Sequence, residues 1–201
     1  MSKGFLNIDN LSKIFNTLFE ENEGMFYKRN YNINNKSILS LNENKIGSIE
    51  DILNKEYLEE NTKSIISNKK NAIYTFEVNS YKIIFKEKIN KEERKKLEEV
   101  GSEYPGEHNT IIIYFIGKNI DTLNYIKAEN LMFNITKHKY VPYIELIDST
   151  ENIEIDKIAK IKISDPLVKF YGYNKNDICK IIYKSKKINT INLYFNYRLI
   201  I

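Results

Sequence analysis

One segment constrains this chain more than any other: KISDPLVKFYGYNKNDICKII, Lys162 to Ile182. Asp165 is suited to cap a helix whose first position is Pro166, where the missing N–H costs nothing because that donor has no helical partner anyway. Gly172 suits the left-handed residue that ends such a helix. Asn174 to Asp177 reads as a chain reversal and Ile178 to Ile182 as a strand. A helix start, a helix stop, a turn and a strand are thus fixed within one short stretch. None of these residues is catalytic hardware. The segment reads as a shape for another protein to recognise.

The chain has 201 residues, enough for one large or two small domains, and its 42% hydrophobic and 29% charged content is that of a globular protein. Gly (7) and Pro (3) are too scarce for long flexible linkers. No apolar run approaches the roughly 18 residues of a membrane span, and the opening MSKGFLNIDN lacks the apolar core of a signal peptide. Cys179 has no second cysteine to pair with and lies in an apolar strand pattern, which predicts a buried, inert thiol in a reducing compartment. Charge is uneven. From Phe133 onward there are 12 basic and 7 acidic residues, a net +5, against 19 basic and 20 acidic, a net −1, before it. That bias suits a polyanion or an acidic partner, or equally an ordinary lysine-covered surface.

Helical spacing of Leu11, Ile14, Phe15, Leu18 and Phe19 predicts a first helix, capped by Asp9 or Asn10 and ending near Gly24. Tyr31 to Lys45 reads as loop or irregular strand. Ser48-Ile49-Glu50-Asp51 is a capping-box start to a second helix, with Ile52, Leu53, Tyr57 and Leu58 continuing its stripe. Ala72–Val78 and Tyr81–Lys86 predict a hairpin turned at Asn79-Ser80. A charged surface helix follows from Asn90 to Val100, then a loop from Gly101 to Asn109, and then the strongest strand, Thr110–Ile116. Asn119–Lys127 predicts a short helix with Ile120, Leu123 and Ile126 on one face, and Leu131–Ile135 a short strand. The expected class is α+β: a mixed α/β domain over residues 1–132 followed by a small mainly-β domain over 133–201.

NITKHKYVP (Asn134–Pro142), SDPLVKFYG (Ser164–Gly172), NDICKII (Asn176–Ile182) and YRLII (Tyr197–Ile201) occur in that order. Together they resemble the fifth subunit shared by the eukaryotic nuclear RNA polymerases, whose archaeal counterpart corresponds to the C-terminal domain alone. The resemblance implies an N-terminal jaw domain and a C-terminal assembly domain. It also implies a non-catalytic subunit that docks on the largest polymerase subunit, contacts other subunits, and lies weakly against downstream duplex DNA. No cofactor, no membrane and no homo-oligomer are implied. The partner-facing residues by this resemblance are His138, Pro142, Asp165, Pro166, Gly172 and Arg198. The sequence departs from the family pattern in places. Asn176 stands where glycine is usual, Tyr143-Ile144 follows Pro142 in place of a second basic residue, and Tyr183–Lys187 replaces an Arg-x-Ser-Glu-Thr run. That divergence fits a viral or reduced-genome parasite version better than a typical cellular one; a viral version, the one favoured, would be placed in virion and host cytoplasm, a cellular one in the nucleus.

Two readings stay open at several residues. His138 is a turn histidine bonded to backbone or a direct contact; His108 sits beside Gly106 in a loop. Arg198 pairs within the chain or bridges to the largest subunit, since arginine can hold a carboxylate in two-pronged fashion. Neither histidine has a second ligand at metal spacing, and no Walker A, G-x-S-x-G or G-x-G-x-x-G pattern occurs. Lys69, Lys70, Lys91, Arg94, Lys95 and Lys96 are the candidate DNA contacts of the N-terminal part, but glutamates on the same helix neutralise the last four. A stand-alone nuclease-like α/β domain and a free-standing adaptor for acidic proteins are the alternative functions.

Overall fold

The computed structural model describes residues 5–66, 73–100, 109–147, 153–187 and 190–201, with the side chains of 98, 100 and 184–193 left aside. His108, Lys69, Lys70 and the loop over 101–108 lie outside the described residues. The fold is α+β, built on two sheets.

Helix α1 (Ile8–Phe19) buries the predicted stripe of Leu11, Ile14, Phe15, Leu18 and Phe19. Its cap is Asn7 rather than Asp9 or Asn10: the Asn7 side chain accepts from the Asn10 amide at 2.8 Å. The helix also stops at Phe19, short of Gly24, which instead caps the one-turn α2 (Met25–Lys28). Gly24 is needed there because a Cβ would meet the Leu18 carbonyl oxygen at 2.7 Å.

The stretch expected to be irregular holds a hairpin, β1 (Ile38–Leu41) and β2 (Asn44–Ser48). Its two-residue turn, Asn42-Glu43, has φ of 47° and 71°. Paired positive φ values match the twist of the flanking strands. Ser48 then caps α3 (Ile49–Leu53) through the predicted capping box with Asp51. The second helix breaks at Asn54 into α3 and α4 (Lys55–Ile66), because the Asn54 side chain turns to cap the next segment. Strands β3 (Tyr74–Val78) and β4 (Tyr81–Lys88) form the predicted hairpin about Asn79-Ser80. The charged helix α5 (Lys91–Val100) then crosses to β5 (Thr110–Ile116), which pairs parallel with β4.

Asn119–Lys127 is not a helix. It ends in β6 (Tyr125–Lys127), parallel to β5. The three residues expected on one face serve three clusters: Ile126 the main core, Leu123 the second sheet's core, and Ile120 a small cluster with Leu97 and Tyr114. The carbonyls a helix would use are committed elsewhere, that of Asn124 to the Ile112 amide and those of Ile120 and Tyr125 to the Lys169 amine. Leu131–Ile135 is likewise no strand; 3₁₀ turns occupy Ala128–Leu131 and Ile135–Lys137.

The six-stranded sheet has the order β2-β1-β3-β4-β5-β6. Its core stacks Phe15 of α1 against Phe76, with ring centroids 5.1 Å apart and planes near perpendicular, a favoured aromatic geometry. The second sheet joins β7 (Tyr143–Leu146), β8 (Ala159–Ile161), β9 (Ile178–Lys187) and β10 (Thr190–Ile200) in the order β7-β9-β10-β8. Helix α6 (Pro166–Tyr171) lies on it, and Leu167 and Val168 pack with Ile144, Cys179, Ile181 and Ile200. Phe170 leaves that cluster and enters the core of the larger sheet.

Candidate partner-binding surface

The α6 segment forms as its residues dictate. The Asp165 carboxylate accepts from the Leu167 amide at 2.9 Å, Pro166 opens the helix, and Gly172 closes it at φ 75°. A Cβ on Gly172 would also meet Arg29 Cγ at 2.9 Å, so the glycine is required twice over. Asn176 takes the positive φ (72°) for which the family's usual glycine is suited, and the turn closes by an Asn174 amide donating to Asp177 Oδ2 at 2.6 Å. Cys179 is fully buried, and burial pushes its thiol up to about 11.

Beside α6, Asn134 organises the loop leading into β7. Its side-chain oxygen accepts from the amide and hydroxyl of Thr136, while its amide nitrogen donates to the Glu23 carbonyl at 3.0 Å. Lys137 pairs with Glu20. His138 is exposed, its ring 5.8 Å from that of Tyr140, and its Nδ1 accepts from the Tyr140 amide at 3.4 Å, the long end of a turn contact.

This loop and the β9–β10 hairpin bound a cleft of about 430 Å³. Five tyrosines line it: Tyr140, Tyr143, Tyr171, Tyr183 and Tyr194. Tyr183 and Tyr194 stack at 5.0 Å, and Lys139 lies 4.6 Å over the Tyr140 ring. Tyr140 and Tyr143 are 78% and 53% exposed, a large apolar area left to solvent. Tyr171, at the end of α6, is pushed up to about 12, first by burial and then by Tyr143 and Glu23.

The six residues predicted to face a partner do not form one patch. His138 and Pro142 line the cleft. Asp165 and Pro166 stand at the far end of α6, where they set its start, and Gly172 sets its end. Arg198 lies on β10 opposite Cys179, and no ion pair joins it to a carboxylate among the described residues. What sequence reasoning missed is the tyrosine cleft, whose members are scattered over more than fifty positions. It also missed Lys169, which is only 3% exposed. The signal for Lys169 was its place inside the apolar run of a capped two-turn helix.

A family model for the C-terminal domain of RNA polymerase Rpb5 matches residues 133–200. Over those residues the chain is similar to an Rpb5 C-terminal domain. The chain is 29% identical over 86 residues to subunit rpabc1 of DNA-directed RNA polymerases I, II and III from Dictyostelium discoideum, covering 39% of this chain and 42% of that one. The same identity and length hold for RPABC1 of Caenorhabditis elegans, at 39% of each chain. Subunit Rpo5 of Methanococcoides burtonii is 27% identical over 73 residues, 32% of this chain and 92% of its own length. The match thus spans about two-fifths of the eukaryotic relatives. The resemblance carried by the four motifs is borne out over these residues, where the chain is similar to the fifth polymerase subunit of these relatives.

Proposed function

We propose that the protein is a non-catalytic subunit of a multisubunit DNA-directed RNA polymerase. Residues 133–201 serve as the assembly domain, docked on the largest subunit, and residues 1–132 as a jaw beside downstream DNA. The observation that carries this reading is the match to the Rpb5 C-terminal domain over the same residues that build the exposed tyrosine cleft. We assign the docking to that cleft, because aromatic side chains are the usual anchors of protein interfaces. In a cellular enzyme the compartment is the nucleus.

The DNA contact of the jaw is weak and reads no sequence. On α5, Lys95 pairs with Glu99 at 3.6 Å, Glu93 takes Lys86 at 2.9 Å, and Arg94 donates to the Lys118 carbonyl at 3.2 Å. Cations already engaged offer little to phosphates, which bind through clustered uncompensated charge.

The test is a double variant, Tyr140→Ala with Tyr143→Ala, in the tagged full chain. Both side chains are exposed, so folding should survive. Loss of an aromatic anchor costs about 2 kcal/mol, or roughly 30-fold in affinity, and recovery of the largest subunit should fall accordingly. Unchanged recovery would remove the cleft from the docking surface.

A further inference from the structure

Besides the apolar contact made by Phe170, the two sheets are joined by an exchange of cations. Arg29, just after α2, donates through Nε to the Lys169 carbonyl at 3.1 Å, through Nη2 to the same oxygen, and through Nη1 to Asn124 Oδ1 and the Tyr31 hydroxyl at 3.2 Å each. In return the Lys169 amine reaches from α6 into the β5–β6 connection, donating to the Ile120 carbonyl at 2.7 Å and to that of Tyr125. Neither cation meets a carboxylate in an ion pair among the described residues. Lys169 is 3% exposed, and Phe170 beside it is buried in the larger sheet's core.

We propose that Arg29 and Lys169 form a reciprocal latch between the two sheets, closed when the Lys169 amine is neutral and loosened when it takes up a proton. A neutral amine has two N–H donors, matched by the two carbonyls it meets. The ammonium has a third donor and a full charge in a buried site.

The surrounding charges decide the direction. Burial disfavours a charge on Lys169 most, Arg29 adds to that, and Asp121, in the β5–β6 connection, opposes both without offsetting them, so the amine is lowered to about 7. On β6, Lys127 is held by Glu129 at 2.8 Å, and in the 3₁₀ turn Ile135–Lys137, which packs against α6, Lys137 is held by Glu20. On α6 itself Asp165 is committed to its cap. An open latch exposes Lys169 to water, where its ordinary value of 10.5 returns. The closed state therefore binds fewer protons than the open one between about pH 7 and about pH 10. Closure is strongest at the alkaline end of that window, weakens as pH falls to about 7, and changes no further below it.

Methyl-labelled NMR of the full chain from pH 6 to 9.5 tests this without relying on exchanging amide protons. The Ile120 and Leu123 methyl resonances should shift along one titration with its midpoint near 7, while those of Ile111 and Ile113 in the main core stay fixed. Lys169→Met should abolish the shift. Lys169→Arg, charged throughout, should hold the low-pH pattern at every pH. Invariant Ile120 and Leu123 methyls in the unaltered protein overturn the latch whether or not either variant folds. An equal shift in Lys169→Met overturns it as well.

Discussion

Asp165 and Gly172 show how few atoms hold α6 in place. Asp165→Ala removes one amide acceptor and should lower stability by about 1 kcal/mol in urea unfolding, the ordinary value of a cap. Gly172→Ala should cost more, because a Cβ there meets both a left-handed φ of 75° and the Arg29 side chain at 2.9 Å. Combining it with Arg29→Ala should recover only the steric share and lose the bonds Arg29 makes to α6. Cys179, raised to about 11, holds roughly a hundredfold less thiolate near pH 8 than an ordinary cysteine. It should resist a thiol reagent in the native protein and react within the dead time once unfolded; rapid native labelling would contradict its burial. These local features were legible because capping and turn chemistry depend on near neighbours. Asn7 was harder to see, since Asn7, Asp9 and Asn10 within four residues offered competing caps, and only the backbone decides between them.

Among elements, the β3–β4 hairpin was legible, and so was Thr110–Ile116, to the residue, as a continuous β-branched and aromatic run. The β1–β2 hairpin was hidden by polar composition, because its edge strand carries Asn44, Lys45, Gly47 and Ser48 around the single apolar Ile46 and its turn carries glutamate where glycine is favoured. Glu43 sits at φ 71°. Glu43→Gly should therefore stabilise the protein by about 1 kcal/mol, read as a rise in the urea midpoint. A loss of stability would mean that the Glu43 side chain makes a contact outweighing its backbone strain. The misread helix over Asn119–Lys127 has a different cause. Its spacing of Ile120, Leu123 and Ile126 is truly helical, but each side chain is drawn into a separate cluster and the carbonyls are taken by Lys169 and β5. Tertiary demand overrode local preference.

At the scale of the whole molecule, the four short motifs near the C-terminus pointed to the polymerase family, while the cleft they frame could not be read in advance. The motifs are continuous in sequence; the cleft joins Tyr140, Tyr143, Tyr171, Tyr183 and Tyr194 from three separate segments. The same holds for the latch, which places Arg29 against a helix 140 positions away. The structure thus couples α6 to the larger sheet on one side and leaves a tyrosine-rich surface exposed on the other. The role proposed for this chain is that of a polymerase subunit. Gentle purification of the tagged full chain, with quantitation of the chains that accompany it, tests that claim most directly. The two largest polymerase subunits should be recovered in near-equal amounts with the tagged chain; their absence from a purification that yields folded protein would contradict the account.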